Sequence, residues 1–274
     1  MNKKRTVVII SVMTLLLNST SGCDVINSAV HSLRSTKNFV SLSSDPRVLY
    51  EPGAEKFALQ MAALLPQAIE EVEKGQYRPF VKKIEIYVCA SQHSYTDYTG
   101  LNAPASLTLK GVFFSPRLVE EKRPLLLYLA HELSHLHLEQ QIGQYKFALL
   151  PAWFKEGLAA MVSNGGGAQN VTEAQAIEAF KNGKHFEPNT AGGIFIRKYG
   201  SYWGLSPHLF YRQSMMFVRY LKEKNEKQFR RFLLNIQNGT RFIKAFNDTF
   251  NDDISLIWRD FLQDIMKNKV EAIN

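Results

Sequence analysis

The chain has 274 residues, 45% hydrophobic and 21% charged, and a formal net charge of +8. Three of those charges are Lys3, Lys4 and Arg5, so residues 23–274 carry +5, an excess that fits approach to anionic lipid or cell-wall polymer and a solvated basic surface equally well. Two cysteines, Cys23 and Cys89, provide no disulfide framework, and there is no glycine-rich phosphate loop, RNA-binding signature or repeat period. Nucleic acid is therefore not an expected partner.

In chain order, the basic start is followed by an apolar run at 7–17. Eleven residues are too few to span a bilayer as a helix but suit the apolar region of a secretory signal. Thr20-Ser21-Gly22-Cys23 resembles a bacterial lipobox, with Thr20 where Leu is usual. That resemblance implies a signal peptide over 1–22 and acylation of Cys23, which would anchor the protein to a membrane. Asp24, by resemblance to enteric-type lipoproteins, would favour the inner membrane. Simple signal cleavage, giving a soluble periplasmic or secreted protein, is the alternative. Residues 24–45 are rich in Ser and Asn and read as a tether. The expected organisation is thus a signal at 1–22, an anchored tether at 23–48 and one domain at 49–274.

Within that domain, apolar spacing through Phe57, Met61, Leu64, Ile69 and Val72 predicts a helix over 55–73. Strands are predicted over 81–89 and 107–114, with a turn-rich stretch between them. Cys89, ending the first strand, reads as a small buried hydrophobe rather than a nucleophile. From Pro124 onward the pattern is helical, with segments at 152–164, 172–181, 207–224, 227–237, 241–246 and 254–266. Gly165-Gly166-Gly167 and Ala191-Gly192-Gly193 mark loops. A small mixed β-sheet followed by a mainly helical lobe is an α+β fold.

One helical segment carries His131-Glu132-Leu133-Ser134-His135. Positions i and i+4 share a helix face, so both imidazoles can reach one small cation, and Glu132 can act as general base on an attacking water. Leu125, Leu126, Leu127, Leu129, Leu136 and Leu138 surround the motif, and two histidines buried in such a helix need a partner. Pro124 and Gly143 suit the helix ends. A second segment, Trp153-Phe154-Lys155-Glu156-Gly157, follows about twenty residues later. On position alone, Glu156 is either solvated or a ligand. A catalytic zinc site takes three protein ligands and keeps one open position.

His-Glu-Leu-Ser-His followed by Trp-Phe-Lys-Glu-Gly-Leu-Ala resembles the gluzincin clan of zinc metallopeptidases, which includes thermolysin-like and aminopeptidase-like enzymes. The resemblance implies a zincin-type core, one zinc ion held by His131, His135 and Glu156, Glu132 as base, and a peptide or protein substrate. Tyr211-Arg212-Gln213-Ser214 is similar to the Tyr-x-x-Ser helix of small members, which implies Tyr211 as a donor to the developing oxyanion. His208 is a second proton-donor candidate. Two departures are visible. Ala160 stands where thermolysin-like members carry an acidic residue, leaving the group that orients the zinc histidines unassigned. Residues 107–115 contain no carboxylate to hold a substrate amino terminus, so an endopeptidase or amidase fits as well as an aminopeptidase. In this clan that strand borders the cleft and pairs with extended substrate.

The expected activity is zinc-dependent cleavage of peptide bonds in the bacterial cell envelope. Two alternatives remain at this stage: a lipid-anchored binding or scaffold protein with a structural or vestigial zinc site, and an amidase acting on peptidoglycan stem peptides.

Overall fold

In the computed structural model the described residues, 30–192 and 198–267, comprise a small mixed sheet and a mostly helical remainder. The proposed signal segment and Cys23 lie outside them. The described residues divide into two compact units: 30–63 with 84–123, and 64–83 with 124–192 and 198–267. No helix among them is long and apolar enough to cross a membrane.

The first unit holds the five-stranded sheet, ordered β1 (Val40–Leu42), β2 (Asp45–Tyr50), β3 (Ile86–Val88), β5 (Val112–Phe114), β4 (Ala105–Leu107). The β2–β3 and β3–β5 pairs are parallel, and the outer pairs are antiparallel. β3 and β5 lie between other strands, and all three residues of each are buried, the pattern expected of strands covered on both faces. Tyr87 and Phe113 stack at 4.5 Å, and Phe39 meets Tyr87 edge-on at 5.2 Å.

These contacts correct three expectations. The tether reading fails from Phe39 onward: Phe39 and Leu42 are buried, and β1 pairs with β2. Serine-rich composition hid two apolar anchors spaced three residues apart. Residues 107–114 are two strands of a hairpin, because the chain turns between Thr108 and Gly111, where the Thr108 N–H donates to the Gly111 carbonyl at 2.9 Å. The supposed turn-rich stretch contains a helix, Gln92–Thr99, started by Ser91 accepting from the Ser94 N–H. Its polar residues gave no apolar period to detect. Cys89 is buried as expected, and burial together with Glu51 pushes its thiol well above the ordinary range.

The helix α1 (Glu55–Gln76) contributes residues to both units. After α2 (Gln92–Thr99) and the short α3 (Arg117–Glu120) come the helices of the second unit: α4 (Leu125–Ile142), α5 (Gln144–Ala148), α6 (Ala152–Val162), α7 (Glu173–Lys181), α8 (Pro207–Lys224), α9 (Glu226–Gln237), α10 (Phe242–Phe250) and α11 (Ile254–Lys267). Their core is dominated by aromatic rings, with Trp153, Phe217, Trp258 and Phe261 packed in series at 4.8–5.3 Å between centroids. Buried rings of this size supply much of the apolar area that orders the helices. α6 and α8 pack closely because residue 157 has no side chain: a β-carbon there would come within 2.5 Å of the Ser214 carbonyl oxygen.

Candidate metal centre

α4 is buried on most of its surface, from Tyr128 through Gln140, including His131, Ser134 and His137. No apolar stripe separates an inner from an outer face, so each polar group must find its own partner. His137 lies 2.9 Å from both Gln76 Oε1 and the Arg78 carbonyl, and Gln76 Nε2 donates to the Ser134 hydroxyl at 2.8 Å. These contacts pin α4 to the end of α1. They take His137, the third histidine of this stretch, out of consideration as a ligand.

His131 and His135 point instead at Glu156 on α6. His131 Nε2 lies 3.2 Å from His135 Nε2, and Glu156 Oε2 lies 3.3 Å and 3.4 Å from the two nitrogens. These three side chains are 6, 11 and 8% exposed. Among the described residues they form the one cluster of metal-ligating groups. Ligand atoms placed tetrahedrally ~2.1 Å from one zinc ion would stand ~3.4 Å apart, so the observed triangle matches one face of that tetrahedron. Two nitrogens and a carboxylate oxygen are also donors that zinc accepts.

Electrostatics couple the three groups. Burial would lower the basicity of His131, but the hydrogen bond and charge of Glu156, aided by Glu132 and the Gly166 carbonyl, carry it above the ordinary histidine value. Burial would raise Glu156, yet the charge of His135 and hydrogen bonds from both histidines hold it far below the usual carboxylate range. Glu132, partly buried on α4, is close enough that its charge acts on both His131 and Tyr211.

Tyr211 on α8 stacks against His131 with centroids 5.8 Å apart and planes 26° apart. The charge of Glu156, then burial, then Tyr199, Glu132 and Tyr128, push its phenol well above its ordinary value. It therefore keeps its proton at any physiological pH. His208 is held differently: Nδ1 lies 2.6 Å from the Gly167 carbonyl and Nε2 lies 3.1 Å from Asn170 Nδ2, so both nitrogens are occupied in tying α8 to the 165–170 loop.

Sequence reasoning missed the group that orients His131. It is the Gly166 carbonyl, 2.9 Å from Nδ1, which accepts the Nδ1 proton and leaves Nε2 facing Glu156. A backbone carbonyl has no side-chain signature, and the only available cue was the run of three glycines. Ala160, noted in the sequence as a departure from thermolysin-like enzymes, is fully buried, and its methyl group offers no acceptor to either histidine. Beside His135 stands Phe147, tilted edge-on at 6.0 Å, with the Lys155 ammonium 4.8 Å from its ring centre.

No protein-family model matches the chain, and no curated protein matches it. Among solved structures, native yeast LTA4 hydrolase is similar, with a TM-score of 0.52 and 14% sequence identity, over 80% of this chain and 37% of that one. At that identity the likeness is one of fold, and this chain spans just over a third of the length of the yeast protein.

Proposed function

We propose that this chain is a zinc-dependent hydrolase of peptide bonds, of gluzincin type, with His131, His135 and Glu156 as protein ligands. The observation that carries the reading is the triangle of Nε2, Nε2 and Oε2 atoms with edges of 3.2, 3.3 and 3.4 Å. The likeness in fold to a hydrolase supports it.

Zinc, when bound there, supplies a Lewis acid that polarises a carbonyl and acidifies water. The chain's own groups do the rest. Glu132, next to the first ligand, takes a proton from the attacking water and passes it to the leaving amine. Tyr211, kept protonated by its carboxylate neighbours, donates to the oxygen on which negative charge develops. The Gly166 carbonyl holds the His131 tautomer. The substrate class is peptide or amide bonds, with endo- and exo-cleavage both open to the product analysis below. The lipobox-like Thr20–Cys23 stretch supports action at a bacterial envelope, with Cys23 as the anchor.

The test combines metal analysis of the purified protein with product mass spectrometry on a mixed peptide library. Wild-type protein is expected to contain one zinc per chain and to cleave peptides in a phenanthroline-sensitive way. Glu132→Gln is expected to keep its zinc and lose turnover by roughly 10²- to 10⁴-fold. Undiminished turnover in that variant, or a protein that takes up no zinc, would refute the proposal.

A further inference from the structure

Residues 163–171 join α6 to α7 and carry no regular structure, yet they supply the carbonyl that orients His131. That carbonyl can fix a ligand only if the segment is itself held. Besides His208, two side chains hold it. Ser163 Oγ donates to the Ala159 carbonyl at 2.7 Å and accepts the Gly166 N–H at 3.0 Å, so it ties the start of the loop to the end of α6. From α8, the Arg212 guanidinium donates through Nε to the Val171 carbonyl at 2.8 Å and through an Nη to the Ala168 carbonyl at 3.2 Å.

The guanidinium suits this task because it is planar and presents several donors in fixed directions, so one side chain can span two carbonyls. Arg212 follows Tyr211 directly, and Tyr211 stacks on His131, so one turn of α8 touches both the imidazole and the loop that orients it. The loop is seated tightly against these rings: a β-carbon at Gly167 would come within 2.6 Å of Tyr211 Cδ2 and 3.1 Å of His131 Cε1.

We infer that Arg212 and Ser163 are positioning residues for the metal centre, clamping the 163–171 loop so that the Gly166 carbonyl holds His131 with Nε2 toward Glu156. The inference rests on the metal-site reading above and adds the residues that set its affinity. Neither residue contacts the reacting atoms, so both act on zinc binding through His131.

The test measures zinc dissociation constants of the full chain by competition with a chromophoric chelator, for wild type, Arg212→Ala, Arg212→Lys and Ser163→Ala. The unfolding midpoint of each metal-free protein is recorded alongside. Losing the support of a ligand's orienting partner is expected to weaken zinc binding by about 10- to 100-fold in Arg212→Ala and Ser163→Ala. Arg212→Lys, which keeps the charge but can reach one carbonyl, is expected to fall between. Phe246→Leu, in the aromatic core, is the control for general destabilisation and is expected to bind zinc as wild type does. Should Arg212→Ala fail to fold, Ser163→Ala decides the matter, since it removes a single hydroxyl. Wild-type-like affinity in the clamp variants, or an equal loss in the core control, would overturn the inference while leaving the metal site intact. A wild-type protein that binds no zinc would overturn the metal-site reading itself.

Discussion

Glu156 is almost completely enclosed, where an isolated carboxylate would be costly, and the two imidazoles are what make its charge tolerable. Its depressed pKa means that its stabilising contribution is present above the ordinary value of 4.5 and is lost as pH falls through the lowered one. His131 has the opposite sign. Its contribution to the metal-free protein is complete below 6.5 and is lost as pH rises through its raised value. Zinc must displace that proton, so zinc affinity is expected to strengthen with pH, by up to about tenfold per unit for one displaced proton, and then to level off. Competition titrations at several pH values would show this; a flat profile from acid to neutral would contradict the coupling. For Tyr211, replacement by Phe leaves the stacking on His131 but removes the donor. It is expected to lower kcat by roughly 10²- to 10³-fold with little change in KM. Steady-state kinetics on a peptide found to be cleaved would check it.

At the scale of elements, the contact between α6 and α8 positions Glu156 and Tyr211 together, and it depends on the bare backbone of Gly157. Gly157→Ala sets two effects against each other. Alanine improves helix propensity by about 1 kcal/mol. Forcing a methyl group against an unyielding carbonyl costs about 1–3 kcal/mol. The clash should win because its partner is backbone, so a lower unfolding midpoint is expected in thermal denaturation, and a higher one would show that the helices can part freely. Much at this scale was legible in advance. Pro207–Lys224 matched its expected bounds, and so nearly did α7, whose start is fixed by a capping box between Thr172 and Gln175, because such signals are local. The sheet was less legible: its central parallel pairs join strands far apart in sequence, and strands of three residues carry little periodicity. The break at Thr108–Gly111 and the helix at Gln92–Thr99 were missed for the same reason, since polar residues set both.

For the whole molecule, the pairing of His131 and His135 was legible from their spacing on one helix, whereas Glu156 was singled out by the resemblance in its segment, and the structure brings all three together. The loop that supports them was not, because its contribution is made by carbonyl oxygens. Zinc that binds the folded chain alone stabilises it by mass action, by about 2.7 kcal/mol at a hundredfold excess over Kd. For the helical unit that corresponds to an upward shift of about 5–11 °C in the unfolding midpoint. Differential scanning measurements should show the shift on adding zinc and its loss with chelator; coincident curves would mean that the metal does not bind the native state.

The most direct measurement is anomalous diffraction at the zinc edge from crystals of the zinc-loaded protein. One strong peak is expected about 2.0–2.2 Å from His131 Nε2, His135 Nε2 and a Glu156 carboxylate oxygen. A peak at other residues, or a Glu156 carboxylate turned away from the bound ion, would contradict it.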